Sequence, residues 1–184
     1  MSSAGSKILA PLDRSLSGGA DGETGWMRLL GIYLNDQLAL GVAGRELARR
    51  AASENTGTEL GAFLERLARE VTEDVDTLQG VMQRLGIPLS RMKRPLALVA
   101  ERVGRLKPNG QLRGYSPLSR FLELESLALG LDGKKLLWAN VGDLANVGDR
   151  LADIDFGALI DRAARQREEL ERFRLAAGRE SLTR

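Results

Sequence analysis

The 184-residue chain has neither cysteine nor histidine. Without cysteine there is no disulfide framework, no thiol nucleophile and no thiolate zinc site. Without histidine the commonest general base and the commonest metal ligand are missing, so triads of the Ser-His-Asp kind and the motifs of zinc peptidases are excluded. Aromatic residues are scarce at 4%. No apolar run approaches the ~20 residues needed to cross a bilayer. The amino terminus, MSSAGSKILAPL, has one lysine and an apolar patch too short for a secretory signal. The expected location is therefore cytoplasmic.

What is present favours helix. Ala, Leu, Arg and Glu are abundant, and 43% hydrophobic with 28% charged residues is enough for one sizeable core, hence one domain. Residues 1–25 are rich in Ser, Gly and Asp without a period and are expected to form a disordered tail, with residues 26–180 forming the folded domain. Within the tail, KILAPL is a candidate docking peptide. Hydrophobic periodicity predicts four long helices. The first runs from Trp26 to Ala52, where SENTGT breaks it; the second runs from the capping Thr58 to Gly86, before Pro88. The third opens at Ser116–Pro117 and ends near Asn140, and the fourth runs from Asp155 to about Gly178. The short first and last connections predict antiparallel pairs. A connection of about thirty residues joins the second helix to the third and holds a short amphipathic helix, Pro95 to Lys107 (Leu96, Val99, Val103, Leu106).

The chain also repeats. LALGVAGR at 38–45 returns as LALGLDGK at 127–134, an offset of 89, which maps Asp36 onto Glu125. FLERLAREVTE at 63–73 resembles LIDRAARQREE at 159–169, an offset of 96, which maps Glu70 onto Gln166 and Glu73 onto Glu169. At 100° per residue the first helix has a face of Leu29, Tyr33, Asp36, Leu40, Ala43 and Leu47. The second has Phe63, Leu67, Glu70, Asp74, Leu78 and Val81, and the fourth has Leu159, Ala163, Gln166, Leu170, Phe173 and Ala177. On the third, Glu125 and Asp132 share a stripe with Leu118, Leu122, Leu129 and Leu136. Each helix thus places a polar group in mid-stripe, and the expectation is a ring of inward acids.

On these features the chain resembles the ferritin-like superfamily over residues 26–178. The resemblance implies an all-α, antiparallel four-helix bundle with one long crossover. It also implies a di-metal site assembled from Asp36, Glu70-x-x-Glu73, Glu125 and Gln166-x-x-Glu169, with Asp74 close by. Both places that hold histidine in the di-iron members hold glutamate here. An oxygen-only set suits Fe, Mn, Mg or Ca, and bridging carboxylates Glu70 and Glu125 with Asp36 as terminal ligand would make the protein a metal-dependent oxidoreductase. Unpaired buried carboxylates cost several kcal/mol or more. The leading expectation is accordingly a network neutralised by Arg167 and Arg174, with no cofactor, no catalysis, and a structural or interaction role. A water-filled small-ligand cavity is a further reading.

Charge is unevenly spread. Residues 84–120 hold nine basic side chains and one acid, Glu101. Arg91, Lys93, Arg94, Arg102, Arg105, Lys107 and Arg113 are candidate contacts for nucleic acid or a membrane surface, with a solvated or self-paired surface as the alternative. Trp26 and Tyr115 can stack on a base or serve as packing. Gly41-x-x-Gly44 and Gly130-x-x-Gly133 lack the strand and helix start of a phosphate loop and are expected to allow close helix approach. Leu30, Leu34, Leu38 and Leu124, Leu127, Leu131, Trp138 are expected on the outer faces of the first and third helices. They would be covered by the crossover helix and by a second subunit, which predicts a homodimer.

Overall fold

The computed structural model describes residues 19–90 and 115–183. Among these, every regular element is helical: α1 (Gly19–Glu54), α2 (Glu59–Arg84), α3 (Pro117–Gly142), a 3-10 turn (Ala145–Arg150) and α4 (Phe156–Leu182). No described helix is long and apolar enough to cross a membrane. The short helix expected at Pro95–Lys107, the basic residues Arg91 to Arg113 and the KILAPL segment lie outside the described residues. Helix α1 starts at Gly19, so residues 19–25, expected in the tail, are helical. Extending an established helix by a residue costs little compared with nucleating one.

Local signals set the helix ends. Thr58 accepts from Gly61 N at 3.0 Å, Ser116 from Ser119 N at 3.1 Å and Asp155 from Ala158 N at 2.8 Å, and each satisfies an orphan donor of a first turn. Helix α2 stops in a Schellman motif: Gly86 adopts φ +70°, its N–H bonds to Gln83 O, and Ile87 N–H bonds to Met82 O.

The most extensive pairings are α1 with α2 and α3 with α4; α1 also packs on α3, while α2 and α4 meet over a small surface. All four helices share the apolar core. One cluster joins Leu47 and Ala51 to Phe63, Leu67, Leu124, Leu131 and Leu170. The other joins Leu34 and Leu38 to Leu78, Met82, Trp138 and Val147, with Leu159 and Ile160 packed against it.

The inner stripes of α2 and α4 are those read from periodicity: Phe63, Leu67, Asp74, Leu78 and Val81 are buried, as are Ala163, Gln166, Leu170 and Ala177. Those of α1 and α3 are largely exchanged, although Leu47 is buried as expected. Leu34, Leu38, Leu124, Leu127, Leu131 and Trp138, expected outside, are buried, while Leu29, Leu40, Leu129 and Leu136, expected inside, are exposed. Both helices carry two apolar stripes, and packing selects one. On α1 the selected side includes Ala39, Ala48 and Ala51, all fully buried, small side chains of the kind that suit close helix packing. On α3 it includes Trp138, whose large ring gains more from burial than a leucine.

Candidate functional site

Asp74, in the middle of the buried face of α2, is the focus of the polar interior. Its Oδ2 lies 2.5 Å from Lys134 Nζ of α3, and its Oδ1 accepts from Arg162 Nη2 of α4. The Asp74 side chain is 4% exposed and that of Lys134 11%. Lys134 also donates to Gln166 Oε1, and Gln166 Nε2 donates to Glu70 Oε2 at 2.5 Å. Arg162 reaches outward through Nη1 to Glu73 Oε2 at 2.7 Å. The result is a continuous chain, Glu70–Gln166–Lys134–Asp74–Arg162–Glu73, that ties α2, α3 and α4 together. Burial lowers the pKa of Lys134, and the Asp74 carboxylate beside it opposes that shift.

The sequence repeat reappears here as contacts. Glu70 and Gln166, related by the offset of 96, hydrogen-bond to each other. Arg66 pairs with Glu169 at 2.5 Å and Arg162 with Glu73 at 2.7 Å, and the same offset carries Arg66 onto Arg162 and Glu73 onto Glu169. Each pair is the other with its helices exchanged, as an approximate two-fold requires. The correspondence fails at Lys134 and Asp74. Their counterparts are Arg45, which bonds to the adjacent Glu46 at 3.0 Å, and Leu170, which is fully buried. The α2–α3 contact thus holds a buried ion pair, whereas its repeat counterparts are a buried leucine of α4 and an α1 arginine that bonds within its own helix.

The remaining candidates do not join this cluster. Asp36 lies on the exposed side of α1. Glu125, half-exposed, pairs with Arg174 at 3.2 Å, and Asp132 pairs with Arg167 at 3.3 Å, so these two α3 acids face arginines of α4 rather than the core. Arg167 and Arg174 also clamp Glu171, each at 2.6 Å. Hydrogen bonds from Arg174 and then Arg167 pull the Glu171 carboxyl down to about 2. Glu73 and Glu169 sit at the surface ends of their pairs. The ring of inward acids from all four helices is therefore replaced by two groups, one buried around Asp74 and one superficial around Glu171. Exchange of the stripes on α1 and α3 is the reason, because it turns Asp36 and Glu125 away and brings Lys134 in.

This donor set does not fit the two-metal centre that the resemblance implies. Asp36 is exposed on α1, Glu125 is paired with Arg174, and the Lys134 ammonium takes the place between Asp74 and Gln166 where a cation would sit. Among the described residues no three acidic side chains are grouped so as to hold a metal ion.

Several polar residues were not singled out for this interior. Lys134 falls on the stripe Leu127, Leu131, Trp138 at helical spacing, and Arg162 lies one turn before Gln166; each signal becomes readable once the buried side of α3 is known. A second small cluster sits at the turn between α1 and α2. Buried Glu123 accepts from Arg50 at 2.6 Å and from Tyr115 OH at 3.0 Å, and Asn55 Nδ2 donates to Tyr115 OH at 3.2 Å and to Ala51 O at 2.7 Å. Burial pushes the Tyr115 hydroxyl up to about 12; the Asn55 hydrogen bond opposes this and the Glu123 charge adds to it.

Over the described residues, fold and site together define an all-helical protein with a polar interior centred on Asp74, which is paired with both Lys134 and Arg162. Comparison with protein-family models finds no match, and comparisons with curated proteins and with solved structures find none either.

Proposed function

We propose that the chain is an antiparallel four-helix bundle of ferritin-like topology with a non-catalytic, structural or interaction role, in which the buried carboxylates hold the helix pairs in register. The observation that carries this reading is the occupancy of Asp74: one oxygen is taken by Lys134 and the other by Arg162. Asp74 and Glu73 match the charges of Lys134 and Arg162, and Glu70 is bound by the Gln166 amide. A buried carboxylate in that state has no remaining demand for a metal ion. The reciprocal pairs Arg66–Glu169 and Arg162–Glu73 support two related helix pairs packed about an approximate two-fold, the arrangement that ferritin-like bundles share.

The test is elemental analysis of the native chain purified without chelator, repeated on a Glu70→Gln plus Asp74→Asn variant. The expected result is no stoichiometric Fe or Mn in either protein. One or two equivalents of metal in the native chain, lost from the variant, would make the carboxylate-bridged metal protein the correct reading instead.

A further inference from the structure

Both ends of the stretch between α2 and α3 are fastened beside α1. Ser90 N–H donates to Asn35 Oδ1 at 2.7 Å, and Asn35 Nδ2 donates to Pro88 O at 3.2 Å. At the other end Tyr115 OH accepts from Asn55 Nδ2 at 3.2 Å. Asn35 belongs to α1 and Asn55 directly follows its last residue, so the two anchors stand about 30 Å apart at 1.5 Å per residue. Residues 91–114, which lie outside the described residues, therefore have to travel along α1 in its own direction. Fully extended they would reach roughly 80 Å, which leaves slack for a helix of about 20 Å over Pro95–Lys107.

Helices α2 and α3 take two sides of α1, and the side left to solvent carries Asp36 and Leu40, both exposed. A groove of about 400 Å³ runs there between α1 and α3, with Leu40 on its rim and Gly44, Gly130 and Gly133 among its lining residues. A Cβ built on any of these three glycines meets no described atom within 4 Å, so they leave room in the groove instead of closing a helix contact, as their spacing had indicated. Charges agree at both anchors. Arg91, Lys93 and Arg94 follow closely on Ser90, whose partner Asn35 adjoins the exposed Asp36. Arg113 stands just before Tyr115, whose partner Asn55 adjoins the exposed Glu54. A segment tethered at both ends meets the groove at an effective concentration of about 1 mM, which favours it over a second copy of the chain.

We propose that the groove is the docking surface for the chain's own residues 91–114, which run along the outward side of α1 and seat the stripe Leu96, Val99, Val103 and Leu106 between Leu40 and Gly133, with their basic ends beside Asp36 and Glu54. The exchange of stripes thus moves the cover from Leu34 and Leu38, which the core takes, to Leu40. This goes beyond the structural role proposed above: metal found in the native chain would end that reading and leave this one standing.

The chain has no cysteine, so introduced pairs report proximity without background. A disulfide closes only where two Cα atoms come within about 7 Å. In the full chain, Leu40→Cys or Gly44→Cys is combined with Leu96→Cys, Val99→Cys or Val103→Cys and oxidised by copper phenanthroline in air. The control combines Val103→Cys with Leu175→Cys, exposed on α4. Leu40 is exposed and Gly44 faces open space, so these variants should keep the native helical content. At least one groove pair should form an intramolecular bond about tenfold or more faster than the control, read as a shift in gel mobility that reductant reverses. Three results would overturn the proposal. These are groove pairs that all close no faster than the control; a control that closes as fast as the best groove pair; or disulfide-linked dimers as the main product, which would give the groove to a second copy.

Discussion

Helices α2 and α4 each have one apolar stripe, whereas α1 and α3 have two, and nearly everything distinctive about the molecule follows from that difference. On α2 and α4 the apolar side chains select a single orientation, and the mid-stripe polar groups Asp74 and Gln166 are buried with it. On α1 and α3 two orientations compete, and the losing stripe stays at the surface, with Leu129 75% exposed and Leu40 55% exposed. The same rotation that exposes those leucines turns Asp36 to solvent and brings Lys134 to Asp74. A surplus of apolar surface and a buried ion pair are thus two results of one packing choice.

The strongest way to break the comparison is to remove the cation that this choice buried. Lys134→Met leaves Asp74 with Arg162 alone and should lower unfolding stability by about 3–5 kcal/mol in urea titration, whereas Arg45→Met, at the repeat-equivalent place on α1, should cost no more than about 1 kcal/mol. Adding Asp74→Leu to Lys134→Met copies the apolar counterpart Leu170 and should recover most of the loss. An Arg45 effect as large as that of Lys134 would remove the asymmetry between the halves.

Alanine substitution separates the two stripes of α3. Leu124→Ala should cost about 3 kcal/mol and Leu129→Ala about 0.5 kcal/mol or less, read as midpoint shifts at constant denaturant slope. Equal costs would mean that both stripes are covered.

Glycines sharpen the contrast at smaller scale. A methyl group on Gly61 of α2 would sit 2.2 Å from Asn55 O, so Gly61→Ala should destabilise by about 2 kcal/mol. Gly130→Ala on α3 has open space and should stabilise by about 0.5–1 kcal/mol.

A pH dependence is expected at the α1–α2 turn. The Tyr115 hydroxyl is raised from its ordinary 10.0 to about 12, so between those values the unfolded chain releases a proton that the folded chain keeps. Stability should fall as pH rises from about 10 towards 12, and Tyr115→Phe should flatten that decline.

Much of the fold was legible. Thr58, Ser116 with Pro117, Asp155 and Gly86 each mark a helix end by side-chain or backbone chemistry that acts within one turn. Of the candidate site, Glu70, Asp74 and Gln166 were legible because α2 and α4 offer one burial solution and because the repeat aligned two of them. Arg167 and Arg174, expected to neutralise the inward acids, instead meet the superficial Glu125, Asp132 and Glu171. Lys134 and Glu123 were hidden because each sits on a stripe assigned to the outside, where a charged residue attracts no notice.

The amino-acid sequence alone determined the helices, their caps, the repeat and the polar groups at mid-stripe, because these depend on neighbours one turn away. Tertiary structure decided which flank of α1 and α3 faces inward, and with it whether Asp36 or Lys134 enters the core. That choice depends on the shape of the surfaces the helices meet, on burial of the small Ala39, Ala48 and Ala51 and on a place for the Trp138 ring, and periodicity along a single helix carries no information about its partner.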